Sequence, residues 1–180
     1  MTAVPSRMGA GDLAGVMVVF DWNGTVMADV DRAVAATSAV LADHGIEPLA
    51  REDFRAGFRL PLAEWLASLG APGAETAWNV AMAARSARAR PEAGAALAAL
   101  HGQGALVAVV SAAGTDAVAT DLTATGLALC IAQVWTGVTD KAIQLGKDRG
   151  LRPRAIYVRD TEYDIVPAQR AGFTDRYRRA

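Results

Sequence analysis

Cysteine is almost absent from this chain: Cys130 is the single one among 180 residues. One thiol excludes an internal disulfide framework and fits a reducing cytosol, so a cytoplasmic protein is expected. No second Cys or His lies near Cys130 in sequence, so it reads as a small buried residue rather than a ligand or nucleophile. Histidine is scarce too. His44 and His101 fall at the ends of expected helices, far from any other chemistry-bearing residue, and read as structural or surface residues. No apolar run approaches the roughly 20 residues that span a bilayer, and the first fifteen residues lack the apolar stretch of a secretory signal. A formal net charge of −1 gives no footing for nucleic acid or an anionic membrane as partner. Lysine is rare: only Lys141 and Lys147 occur among the 18 basic residues.

What is present is apolar and periodic. Hydrophobic residues make up 52% of the chain and charged ones 21%, a profile of globular folding around a core. Residues 1 to 13 read as a flexible tail. Val16 to Phe20 is then a short β-branched run without polar alternation, as expected of a strand buried on both faces. It ends abruptly on Asp21, and Gly24 and Thr25 follow at a turn. Similar runs at Ala105 to Val110 and Ala155 to Val158 end on Ser111 and on Arg159-Asp160. Leu129 to Trp135 reads as a weaker strand. Between the strands, helical spacing predicts helices over Pro91 to Leu100, Gly114 to Thr125 (with Asp116 and Asp121 outward), Asp140 to Arg149 and Thr161 to Ala171. This alternation implies right-handed βαβ crossovers and a mostly parallel sheet.

One block breaks the alternation. Asp29 to His44, Arg51 to Phe58, Leu62 to Leu69 and Glu75 to Arg90 all read as helices, and residues 30 to 90 carry no strand signal. They read as a helical insertion over the carboxyl edge of the sheet, with Phe54, Phe58, Trp65 and Trp78 as its own core. Residues 14–29 and 91–180 then form the main domain.

Asp21, Ser111 and Asp160 end three strands at the same sheet edge, where open α/β sheets place their ligands, and Lys141 starts a helix. Asp21-Trp22-Asn23-Gly24-Thr25 resembles motif I of the haloacid dehalogenase (HAD) superfamily. Ser111 corresponds to motif II, Lys141 to motif III, and Asp160-Thr161-Glu162-Tyr163-Asp164 to motif IV. The resemblance runs over nearly the whole chain and is of the phosphoglycolate phosphatase-like kind. It implies an α/β fold, a Rossmann-like parallel sheet with an inserted all-helical C1-type cap. It also implies a Mg²⁺-dependent phosphatase of a small phosphorylated metabolite.

In that scheme Asp21 is the nucleophile that forms an aspartyl phosphate. Asp21, the backbone carbonyl of Asn23, Asp160 and Asp164 hold Mg²⁺, which takes oxygen ligands. Thr25, Ser111 and the amide of Ala112 contact the phosphoryl group, and Lys141 neutralises charge there. Three departures stand out. Asn23 occupies the place of the usual second Asp and cannot act as the general acid, so good leaving groups are favoured. Arg159 replaces a usual Gly, either crowding the metal site or adding a cation. Only a short polar tail, Thr174 to Ala180, remains where a further strand is usual, which leaves a sheet edge open to a second subunit in a homodimer. These departures define an alternative: a catalytically impaired relative that binds a phosphorylated ligand or protein partner. Dehalogenase chemistry is disfavoured by the Asp160/Asp164 pair. A Schiff-base phosphonatase would need a lysine within residues 30 to 90, which contain none.

Overall fold

The computed structural model describes residues 12–159 and 165–177, with the backbone alone for 165–167 and 175–177. Its centre is β1 (Val16–Asp21), in which every residue is buried. An apolar run with no alternation needs cover on both faces, and a parallel sheet flanked by helices supplies it. The partners are β4 (Leu106–Val110), β5 (Gln133–Trp135), β6 (Arg154–Arg159) and β7 (Thr174–Tyr177). They lie in the order β5-β4-β1-β6-β7, and all four pairings are parallel. The crossovers run through α5 (Pro91–Gly102), α6 (Thr115–Thr125), α7 (Lys141–Asp148) and α8 (Ile165–Arg170). Side chains of β1 divide between two apolar clusters. Val16, Val18 and Phe20 pack with Leu97, Val107 and Val118, while Met17 and Val19 pack with Leu145, Tyr157 and Phe173.

The helical insertion comprises α1 (Val30–Asp43), α2 (Arg51–Gly57), α3 (Leu62–Ser68) and α4 (Glu75–Ala83). In α1 the buried positions are Ala33, Ala36, Thr37, Val40 and Leu41, the stripe a helix with one apolar face shows. Phe54, Trp65, Leu66, Trp78 and Met82 complete a separate cluster. Phe54, Phe58 and Trp65 meet ring to ring at 5.0–5.4 Å, although Phe58 keeps 38% of its surface exposed. Trp78 Nε1 donates to Thr37 Oγ1 at 3.0 Å, which ties α4 to α1.

Several sequence expectations are corrected. The helix expected over Glu75 to Arg90 stops at Ala83, because Arg85, Ser86 and Ala87 are drawn into contacts with Arg32 and Asp121. Arg88–Ala89 is then a short strand, β3, antiparallel to β2 (Met27–Ala28), so residues 30 to 90 are not free of strand. This two-stranded ribbon carries the chain into and out of the insertion. Asp121, expected to face outward, is fully buried. The stretch 129–135 is half a strand: Leu127–Cys130 is a 3₁₀ turn, and Cys130 is half-buried rather than buried. Beyond Phe173, where only a short polar tail was expected, residues 174–177 pair with β6 as a fifth strand, which becomes the edge of the sheet. The expected tail is described only from residue 12, and Asp160 to Asp164 lie outside the described residues.

Candidate active site

The carboxyl edge of β1 turns back on itself at once. Trp22 O accepts from the amides of Val26 and Met27 at 2.9 and 3.0 Å, and Gly24 N donates to Met27 O at 3.0 Å. Gly24 sits at φ 77°, a backbone state other residues enter at a steric penalty. Arg90, just after β3, clamps the same turn: its Nε donates to Gly24 O at 2.6 Å and its amide to Val26 O at 2.8 Å. The ribbon that leads to the insertion and the loop that carries Asn23 are therefore one rigid unit.

Asp21 stands at the start of this turn, 6% exposed. Its Oδ1 accepts from Lys141 Nζ at 2.9 Å and from the Trp22 amide at 2.9 Å. The pair joins residues 120 positions apart, and only 12% and 8% of the two side chains is exposed. Asp140 fixes where α7 begins by accepting from the Ile143 amide at 3.1 Å, so Lys141 occupies the first helical position. An ammonium this close, in a contact so little exposed to water, holds the carboxylate in one orientation.

Ser111 follows β4. Register places Asp21 opposite Val110, so Ser111 lies beside the turn after Asp21. Its backbone is fixed on both sides: its amide donates to Trp135 O at 2.8 Å, and its carbonyl accepts from Val138 N at 2.9 Å. Its hydroxyl accepts from the Ala113 amide at 3.0 Å and donates to Asn23 Oδ1 at 2.9 Å. Ala112, between them, is half-buried, and Thr25 is buried at 4%. The Asn23 side chain meets a partner at each end: its Nδ2 donates to Asp29, and its Oδ1 accepts from the Ser111 hydroxyl.

Asp29, which the sequence places at the opening of a helix, occupies the N-cap position of α1, yet its side chain makes no cap bond. It turns back instead, with Oδ1 accepting from Gly24 N at 3.0 Å and Oδ2 from the Asn23 amide. Burial pushes its carboxyl above the usual range, against the hydrogen bond from Asn23 and the Arg32 guanidinium, which pull the other way. Arg32 lies 3.8 Å from Asp29 and is itself held by Asp121 through two bonds of 2.7 and 2.9 Å. Asp121 also accepts from Trp22 Nε1 at 3.1 Å, Ser86 Oγ at 3.1 Å and the Ala87 amide at 3.0 Å.

Sequence reasoning missed Trp22, Asp29, Arg32, Arg90 and Asp121 as parts of this site. The signal for Asp121 was available, since it falls three and four residues after the apolar Val118 and Ala117. Of the expected set, Asp21 and Lys141 meet, and Ser111 and Asn23 meet. Arg159 is fully buried at the end of β6. The acidic pair Asp160 and Asp164 lies outside the described residues, and no cluster of three or more His, Cys, Asp or Glu forms among the described ones. The groups at the turn, the Asp21 carboxylate and the backbone carbonyl of Asn23, are hard oxygens, a set that suits Mg²⁺.

Structural relatives share the fold. A predicted phosphatase from Clostridium acetobutylicum superposes with a TM-score of 0.75 at 18% identity, over 91% of this chain and 83% of that one. A predicted phosphoglycolate phosphatase from Haemophilus somnus gives 0.67 at 18% identity, over 88% and 83%. CbbY from Rhodobacter sphaeroides, solved in complex with phosphate, gives 0.69 at 19% identity, over 93% and 87%. A search of curated proteins found no significant match. No helix among the described residues is long and apolar enough to cross a membrane. The family model of the haloacid dehalogenase-like hydrolases matches residues 18–175, so the chain belongs to that family.

Proposed function

We propose that this hydrolase is a Mg²⁺-dependent phosphatase of a small phosphorylated metabolite, with Asp21 as its nucleophile. The observation that carries this reading is the Lys141–Asp21 pair, 2.9 Å apart at the carboxyl end of the central strand. A carboxylate approaching a phosphate dianion meets repulsion, and a fixed ammonium beside it lowers that barrier. Asp21 attacks phosphorus as the bond to the leaving oxygen breaks, and water then cleaves the aspartyl phosphate. Thr25, Ser111 and the Ala112 amide donate to the phosphoryl oxygens. For Ser111 this means that its proton leaves Asn23 Oδ1 for the incoming oxygen. Asp21, the backbone carbonyl of Asn23, Asp160 and Asp164 would hold Mg²⁺, which would supply further charge neutralisation at the phosphoryl group.

Phosphate release from a panel of phosphorylated metabolites with Mg²⁺ tests the reading. Release should fall to background in Asp21→Asn, and release that persists there would end the proposal. A second reading is favoured by the engagement of both ends of the Asn23 amide: binding of a phosphorylated ligand or protein partner without turnover. Saturable binding by calorimetry with no release from any substrate would select it.

A further inference from the structure

We infer that Asn23 and Asp29 are a matched donor–acceptor pair, in which Asp29 is the positioning residue that holds position 23 against Ser111 and favours an amide over a carboxylate there. The two carboxylate oxygens of Asp29 are assigned to two different N–H groups, those of Gly24 and Asn23. Asn23 presents one donor to Asp29 and one acceptor to Ser111, so each polar end of its side chain has a complementary partner. Arg32 stands 3.8 Å from Asp29 and supplies charge there, while its two shorter bonds go to Asp121, so the direct hydrogen bonds to Asp29 come from Gly24 and Asn23.

Substitutions at the two positions therefore differ sharply. Asn23→Asp alone removes the N–H that Asp29 Oδ2 accepts and puts a second carboxyl oxygen in its place. Asp29→Asn alone leaves one acceptor where two stood: Gly24 N keeps its bond to Met27 O, and Asn23 regains a partner at position 29 only by turning its amide over and presenting Nδ2 to Ser111. Exchanging both restores every match. The new amide at position 29 donates to the carboxylate at position 23, while its oxygen still accepts from Gly24. Ser111 donates to position 23 in either case.

The pairing is tested by a thermal-unfolding cycle of the full chain, Asn23→Asp, Asp29→Asn and the double variant. Its outcome does not depend on the phosphatase reading. Asn23→Asp should lower Tm by roughly 2–10 °C. Asp29→Asn should recover most of that loss in the Asn23→Asp background and recover nothing in the natural chain. An Asn23→Asp chain that fails to fold while the double variant folds supports the pairing equally. Equal shifts from Asp29→Asn in both backgrounds, or a double variant that does not fold, would overturn it. A second measurement rests on the phosphatase reading. Activity on an alkyl phosphate relative to acetyl phosphate should rise about tenfold or more in the double variant, where position 23 carries a carboxyl in an unstrained turn. The same rise from Asn23→Asp alone, with Tm unchanged, would overturn the inference. Absence of phosphate release from every variant would count against the phosphatase reading, and the unfolding cycle would still decide the pairing.

Discussion

At the scale of single residues, the site is governed by which side chain holds which. Lys141 reaches Asp21 because Asp140 sets the first turn of α7, and the contact is nearly closed to water. Replacing Lys141 with Met removes the cation and keeps the length of the side chain. Loss of one such electrostatic partner is expected to lower kcat by about 10²–10³-fold. Lys141→Arg should recover only part of it, because a planar fork does not replace a compact ammonium at one oxygen. Unchanged phosphate release in Lys141→Met, with an unchanged circular dichroism spectrum, would remove Lys141 from the mechanism. Asp21, Ser111 and Lys141 were legible in the sequence because each sits where a regular element begins or ends. Asp29 was not. At a helix start its type signals capping, and only the folded turn shows that its side chain faces Asn23 instead.

At the scale of elements, Asp121 is the knot. One carboxylate in α6 receives the Trp22 indole, the Arg32 guanidinium, the Ser86 hydroxyl and the Ala87 amide. It therefore binds the turn after β1, helix α1 and the approach to β3 to α6. Ala117, one helical turn earlier, packs into the cluster of the insertion. Asp121→Ala would leave a buried guanidinium and three other donors without their acceptor. Breaking such a pair from one side costs about 3–5 kcal/mol, measurable as a lower denaturation midpoint. A loss below about 1 kcal/mol would show that the network is replaced by water. The long elements were readable from periodicity, and their ends from Gly and Pro. The short ones were not: Arg88–Ala89 is too brief to show any period, and Thr174–Tyr177 carries no apolar run because it lies at the sheet edge. Their strand state is set by the neighbour they pair with rather than by their own composition.

At the scale of the whole molecule, the chain passes from the main sheet into the helical insertion and back beside the turn that holds Asn23. The ribbon β2–β3 and the Arg90 clamp fix that turn. The consequence falls on the leaving group. An ester oxygen departs poorly unless it is protonated, and Asn23 has no proton to give and is held away by Asp29 and Ser111. An acyl phosphate departs without that help. Rates should therefore order as acetyl phosphate, then p-nitrophenyl phosphate, then a sugar phosphate, with a span of about 10²–10⁴-fold, the usual contribution of general acid catalysis. With Mg²⁺ bound as proposed, chelation by EDTA should lower all three together, since the ion would act on the phosphoryl group common to them. A sugar phosphate turned over faster than acetyl phosphate would mean that another group of the chain, or an ordered water, delivers the proton. The insertion would then be the place to seek that group, because the sheet edge offers none among Asp21, Ser111 and Lys141 that is not already engaged.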